Sequence, residues 1–258
     1  MRRTTGFSLV ELLVAAAILG TLLAALGAFF VVNQRVGNEQ ITAAKLNTDL
    51  RLAFLRMSDV ASQAQYIYPA GQTLTLEGGS RFTTTLTTGA NTLAVLVPRD
   101  TAYCEAATSG YCGFAYTFED SASYADILGA GDGTTGAALV EYRFENLAWA
   151  GNALPAKTWT DTAAKRSPLV NSVDVAASSL TDVNTIAFAD YSNYDTAVSF
   201  PASGATSADL ATFASDEEAL IKSVTSTLKL RYTFRGKEIA NERENVMFAR
   251  AIPRAGQP

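Results

Sequence analysis

One carboxylate, Glu11, stands at the edge of the apolar run "LVELLVAAAILGTLLAALGAFFVV", Leu9 to Val32. A carboxylate costs up to ~3 kcal/mol at a bilayer centre and less near its edge, so its presence here asks for a compensating positive group. The other residues with chemical potential are Cys104 and Cys112, with seven residues between them in "YCEAATSGYC". Two cysteines cannot assemble a zinc site alone. Outside the cytosol they would close this short loop as a disulfide, which usually contributes about 2 to 4 kcal/mol. Two buried thiols are the alternative, and the spacing is not the C-x-x-C of a redox pair.

Other chemistry has little to work with. The chain has no histidine, which removes the commonest metal ligand and the commonest general base near neutral pH. Asp126 and Asp132 in "SASYADILGAGDGTTG" lack the spacing of a calcium loop and read as turn aspartates. Asp216, Glu217 and Glu218 form a carboxylate run of the kind that is normally solvated, and no P-loop, dinucleotide fingerprint or nucleophile elbow occurs. Neither an enzyme nor a cofactor is expected. With 20 basic against 25 acidic residues, the charge balance also weighs against a phosphate-gripping nucleic-acid binder. Lys229, Arg231, Arg235 and Lys237, interleaved with Tyr232 and Phe234, form the one basic and aromatic cluster, which reads as a solvated strand face.

The elements that must carry these residues begin with a helix. From Leu12 to Val32 there are 21 uncharged residues, and at ~1.5 Å per residue such a helix spans the hydrocarbon core of a bilayer. Arg2 and Arg3 precede it, so the positive-inside rule keeps that end cytoplasmic and sends the rest of the chain across. A secretory signal peptide is the rival reading, with "AALGA" as its cleavage site. Against it, the helical pattern runs on: Leu46, Leu50, Phe54, Met57, Ala61 and Ala64 recur at helical spacing, with Asp49, Arg51, Arg56, Asp59 and Gln63 largely off that face. No proline occurs before Pro69, so a helix from Phe7 to about Ile67 is allowed.

The N-terminal residues resemble a known family. "GFSLVELLVA", Gly6 to Ala15, is similar to the class III leader junction of type IV prepilins and type II secretion pseudopilins. The resemblance implies cleavage by a prepilin peptidase between Gly6 and Phe7, with methylation of the new N-terminus. It also implies a role for Glu11: to neutralise the freed ammonium of Phe7, on its own helix or a neighbouring subunit's, inside an apolar filament core. Many family members carry a proline part-way down this helix, where this chain has Gly20-Thr21 and Gly27.

Beyond Pro69 the pattern alternates. Short strands are expected at Thr73–Glu77, Arg81–Thr87, Asn91–Pro98, Phe114–Phe118 and Ala138–Trp149, with a loop from Ser121 to Gly136. Gly151 to Ser215 reads as loop-rich, with one strand at Asn184–Tyr191 and a helical turn at "SDEE". The cleanest strand is "SVTSTLKLRYTF", followed by the polar connection "RGKEIANER" and a partner strand "ENVMFARAIPR". This ending is similar to that of PilW-like minor pilins and J-type pseudopilins.

Together these imply an α+β, pilin-like fold: a long N-terminal helix packed on an antiparallel sheet, with no βαβ alternation. The expected organisation is a leader at 1–6, a transmembrane and filament-core helix at 7–32, its amphipathic second half at 33–68, and a β-rich head at 69–258. The implied function is that of a minor pilin, a structural and assembly subunit of a type IV pilus. The alternatives are a type II secretion pseudopilin, or a tip subunit that binds DNA or surfaces. Implied partners are other pilin and minor pilin subunits, the prepilin peptidase and the inner-membrane assembly platform. The chain would cross the cytoplasmic membrane once, with its head in the periplasm or outside the cell.

Overall fold

The computed structural model describes residues 9–64, 66–68, 70–99, 101–104, 110–128, 136–148, 156–180, 187–190, 197–199, 220–234 and 237–248. The chain divides into two compact units, Met1–Lys45 and Leu46–Pro258. Helix α1 (Leu9–Gln63) contributes to both.

In the first unit every described residue is helical, and the helix continues through Gly20, Gly27 and Gly37. Alanine and leucine dominate, and they favour that conformation. Leu12, Leu13, Ile18, Leu22 and Phe29 are all exposed. Polar side chains help where they occur: the Thr21 and Thr42 hydroxyls donate to the Ile18 and Asn38 carbonyls, and Arg35 pairs with Glu39 one turn on.

The second unit begins where α1 acquires a buried stripe. Leu46, Leu50, Ala53, Phe54, Met57, Val60 and Ala61 are buried, while Leu52 and Leu55 on the opposite side stay exposed. Among the described residues, the stripe packs on a sheet of nine strands whose pairings are all antiparallel. Its strands are β1 (Tyr66–Ile67), β4 (Thr92–Pro98), β5 (Tyr111–Asp120), β6 (Ala137–Leu147), β8 (Lys165–Val173), β9 (Ala187–Asp190), β10 (Ala197–Ser199), β11 (Leu220–Phe234) and β12 (Lys237–Phe248). Their order is β1-β4-β5-β6-β8-β11-β9-β10, with β12 also on β11. A smaller sheet, β3 (Thr83–Thr87), β2 (Thr73–Glu77) and β7 (Thr158–Thr160), has order β3-β2-β7, and β2 and β7 run parallel.

The small sheet explains why "LAVLV", Leu93 to Val97, is apolar at every position. Leu93, Val95 and Val97 join the core shared with α1, whereas Ala94 and Leu96 join a second core with Leu74, Leu76 and Trp159. Strands β4 to β6 are therefore sandwiched between a helix and a sheet, and a strand covered on both faces needs no polar alternation.

Four segments differ from the sequence reading. The helix stops at Gln63 rather than near Ile67. Tyr66 and Ile67 pair instead with Leu96 and Val95, because aromatic and β-branched residues ahead of Pro69 favour extended backbone. The loop expected from Ser121 opens with a 3-10 turn (Ser121–Tyr124), capped by the Asp120 carboxylate, and a short helix α2 (Ala125–Leu128). The loop-rich stretch also holds β7 and β8; Pro168 fits in β8 because β11 meets that strand only at Val173, which leaves its earlier part on an edge. Finally, most of the polar connection is strand. β12 runs in unbroken register with β11, from Phe234↔Lys237 to Ser223↔Phe248, and its charges are tolerated because an edge strand borders water. The turn expected at "SDEE" lies outside the described residues.

Candidate functional site

Of the residues singled out at the N-terminus, Gly6 and Phe7 lie outside the described residues. Glu11 occupies the first turn of α1 and is exposed. Within this unit α1 is long and apolar enough to cross a membrane, and the window that qualifies is entirely unburied. That outward-facing apolar surface needs lipid or other apolar helices around it.

In the second unit the cysteines are joined. Cys104 and Cys112 form a disulfide with a Cα–Cα distance of 5.6 Å, and both are fully buried in the core shared with α1. Cys112, the second residue of β5, stands opposite Val97 of β4, so the bond fastens the connection between these strands over the helix-facing side of the sheet.

Tyr103, next to Cys104, reaches the helix. Its hydroxyl donates to Asp59 Oδ2 at 3.2 Å, and the Arg56 guanidinium lies 4.5 Å from its ring centroid. Arg56 in turn grips Glu141 on β6: Nε meets Oε2 at 2.7 Å and Nη2 meets Oε1 at 2.8 Å. Tyr116 on β5 donates its hydroxyl to the same Oε2 at 2.9 Å. The hydrogen-bonded carboxylate pushes the Arg56 pKa up despite its burial. Burial, reinforced by the Glu141 charge, pushes the Tyr116 phenol well above its usual range. The result is a charge clamp between helix and sheet, closed on one side by an aromatic ring.

A second carboxylate, Glu119, serves the opposite face. It accepts from the hydroxyls of Tyr124, at 2.6 Å, and Tyr142, and from the Arg166 guanidinium, which also lies over both rings. Burial first and the bond to Glu119 second push both phenols up.

The basic cluster is matched by acids. Lys229 stands opposite Glu242 in register, and Arg231 lies 3.9 Å from both Asp174 and Glu238. Arg235 lies outside the described residues, as does Asp132, while Asp126 falls in α2.

Helical spacing alone does not reveal the clamp, since it puts Arg56 on the polar side of the helix and leaves Glu141 as one residue of a strand. One signal is present in the sequence: "ALVEYRF", Ala138 to Phe144, places Glu141 and Arg143 among apolar and aromatic residues, where a charge needs a partner.

Residues 1–27 match the family model described as Prokaryotic N-terminal methylation motif. No curated protein and no solved structure matches the chain. The chain therefore carries a type IV prepilin-like class III leader, the mark of pilin-like and pseudopilin proteins. Proteins marked by this motif are structural rather than enzymatic. The leader here opens a membrane-anchoring apolar helix and accompanies a disulfide-bonded α+β second unit.

Proposed function

We propose that this chain is a minor pilin, a structural and assembly subunit of a type IV pilus. A prepilin peptidase cuts after Gly6, the new N-terminus at Phe7 is methylated, and the mature subunit waits in the cytoplasmic membrane with residues 69–258 outside the cytosol. It then enters the filament through residues 7–32, handled by the inner-membrane assembly platform and packed against other pilin and minor pilin subunits. Glu11 compensates the Phe7 ammonium there, so that two charges costly alone become tolerable as a pair.

The observation that carries this reading is the methylation motif at residues 1–27 running into a helix whose apolar surface is unburied. Mass spectrometry of the mature N-terminus tests it. A methylated Phe7 is the expected result, and a terminus near Ala28 would mean simple secretion instead. A type II secretion pseudopilin has the same leader and helix, and chromosomal neighbours distinguish the two systems. The reading as a DNA-binding tip is weakened by the acids facing Lys229 and Arg231.

A further inference from the structure

We propose that the Cys104–Cys112 bond controls docking of the second half of α1 on the sheet, acting through Tyr103. The inference goes beyond the filament role and does not depend on which filament the chain enters.

The geometry supplies a continuous path. Cys112 is fixed in β5 by its pairing with Val97, and the bond draws Cys104 into the same buried core as Leu50, Phe54 and Met57. The turn leading to Cys104 is held at its base: the Cys104 N–H donates to the Thr101 carbonyl at 3.1 Å, and the Thr101 hydroxyl donates to the Pro98 carbonyl at 2.9 Å. Tyr103 sits between these anchors and the helix, with its hydroxyl on Asp59 and its ring against Arg56. It thereby shields one side of the Arg56–Glu141 pair from water, and such a pair is stronger where water is excluded.

Opening the bond releases the restraint on Tyr103. The clamp then faces solvent, two thiols replace the bond within the core, and the grip on residues 46–63 weakens. Formation is a thiol–disulfide exchange. One cysteine thiolate attacks a disulfide-bonded oxidant, the second displaces the carrier, and the oxidant leaves as two thiols with the two electrons and two protons of the cysteine pair. A chain that has not met such an oxidant keeps the Leu46, Leu50, Phe54 and Met57 stripe incompletely docked. The device thus reports that the chain has reached an oxidising compartment before its helix is set.

Residue-resolved amide hydrogen exchange on the full chain in detergent micelles tests this. Three proteins are compared: oxidised with glutathione disulfide, reduced with dithiothreitol, and Tyr103→Ala with its bond intact. The expected result is exchange about tenfold or more faster in residues 46–63 for both the reduced protein and Tyr103→Ala, with the Leu74, Leu76 and Trp159 layer unchanged. Two results would overturn the proposal: equal acceleration of both layers on reduction, which describes a plain cross-link, or wild-type exchange in oxidised Tyr103→Ala. Should the reduced chain unfold altogether, Tyr103→Ala and Tyr103→Phe still decide. Tyr103→Phe keeps the ring over Arg56 and is expected to fall between wild type and Tyr103→Ala.

Discussion

Arg56 on the helix and Glu141 on β6 meet as a two-point pair, at 2.7 and 2.8 Å, with the Glu141 carboxylate almost wholly withdrawn from water. Desolvating such a pair offsets much of its attraction, so its net contribution is smaller than the cost of breaking it. Arg56→Met should therefore lose about 3 kcal/mol, because it strands a buried carboxylate. Adding Glu141→Leu should restore most of that loss by removing the stranded charge. Urea midpoints at unchanged m-value measure both. Equal losses in the single and double variants would mean that the two residues do not act as a unit.

The α1 stripe was legible in the sequence because an isolated period of three and four has one physical meaning, a helix with one covered face. Every residue of the Leu46 to Ala64 stripe is buried. The clamp was not legible in the same way. Arg56 borders the stripe, and whether a bordering cation faces water or a buried acid is decided by a strand 85 residues away. The three-layer arrangement was hidden for a related reason. A continuous apolar run such as β4 reports burial on both faces but not what covers each. The β12 charges hide a strand because a polar run has the composition of a loop, and the edge of a sheet accommodates the same composition.

Helix docking gives a graded test. Leu50, Phe54 and Met57 are 0%, 2% and 0% exposed, against 59% for Leu52 and 48% for Leu55. Leu50→Ala, Phe54→Ala and Met57→Ala should each cost about 2 to 5 kcal/mol through lost transfer energy and residual cavities. Leu52→Ala and Leu55→Ala should stay within about 0.5 kcal/mol in the isolated subunit. Thermal or urea unfolding of the subunit in detergent reads the difference. Comparable losses on both sides would mean that the opposite face is covered too.

Alkali should destabilise the second unit. Burial raises the phenol pKa values of Tyr66, Tyr68 and Tyr116, so in the folded state these groups hold their protons to higher pH than in the unfolded state. Their contribution is whole below the unfolded value near 10 and is lost as pH rises toward the folded values, by up to about 1.4 kcal/mol per pH unit for each tyrosine. Stability measured from pH 9 to pH 11.5 should fall steeply, and Tyr116→Phe should make the fall shallower. An unaltered slope in that variant would remove Tyr116 from the effect.

The basic cluster should not confer DNA binding. Lys229 and Arg231 already face acids across the β11–β12 ladder and on Asp174, so a phosphate would have to displace them. Lys229→Gln with Arg231→Gln is expected to leave retention of the full chain on duplex DNA at its wild-type level, at both low and moderate salt. A loss confined to low salt would instead reveal phosphate contacts made by those cations.

The proposed role of Glu11 predicts that processing and assembly can be separated. Glu11 lies four residues beyond Phe7 in the sequence, a separation of about one helical turn, which under the proposed function sets it beside the amine that cleavage would free. Glu11→Gln preserves shape and removes the charge, leaving that amine uncompensated once the helix enters apolar surroundings. Under the proposed function, cleavage after Gly6 precedes those surroundings and should proceed in the variant. The expected outcome is a processed, membrane-held subunit whose abundance in sheared filaments drops at least about tenfold, since an unpaired charge in a low-dielectric core costs several kcal/mol. Mass spectrometry reads the terminus and immunoblotting of sheared filaments reads incorporation. Normal incorporation of the glutamine variant would show that the amine is compensated by some other group.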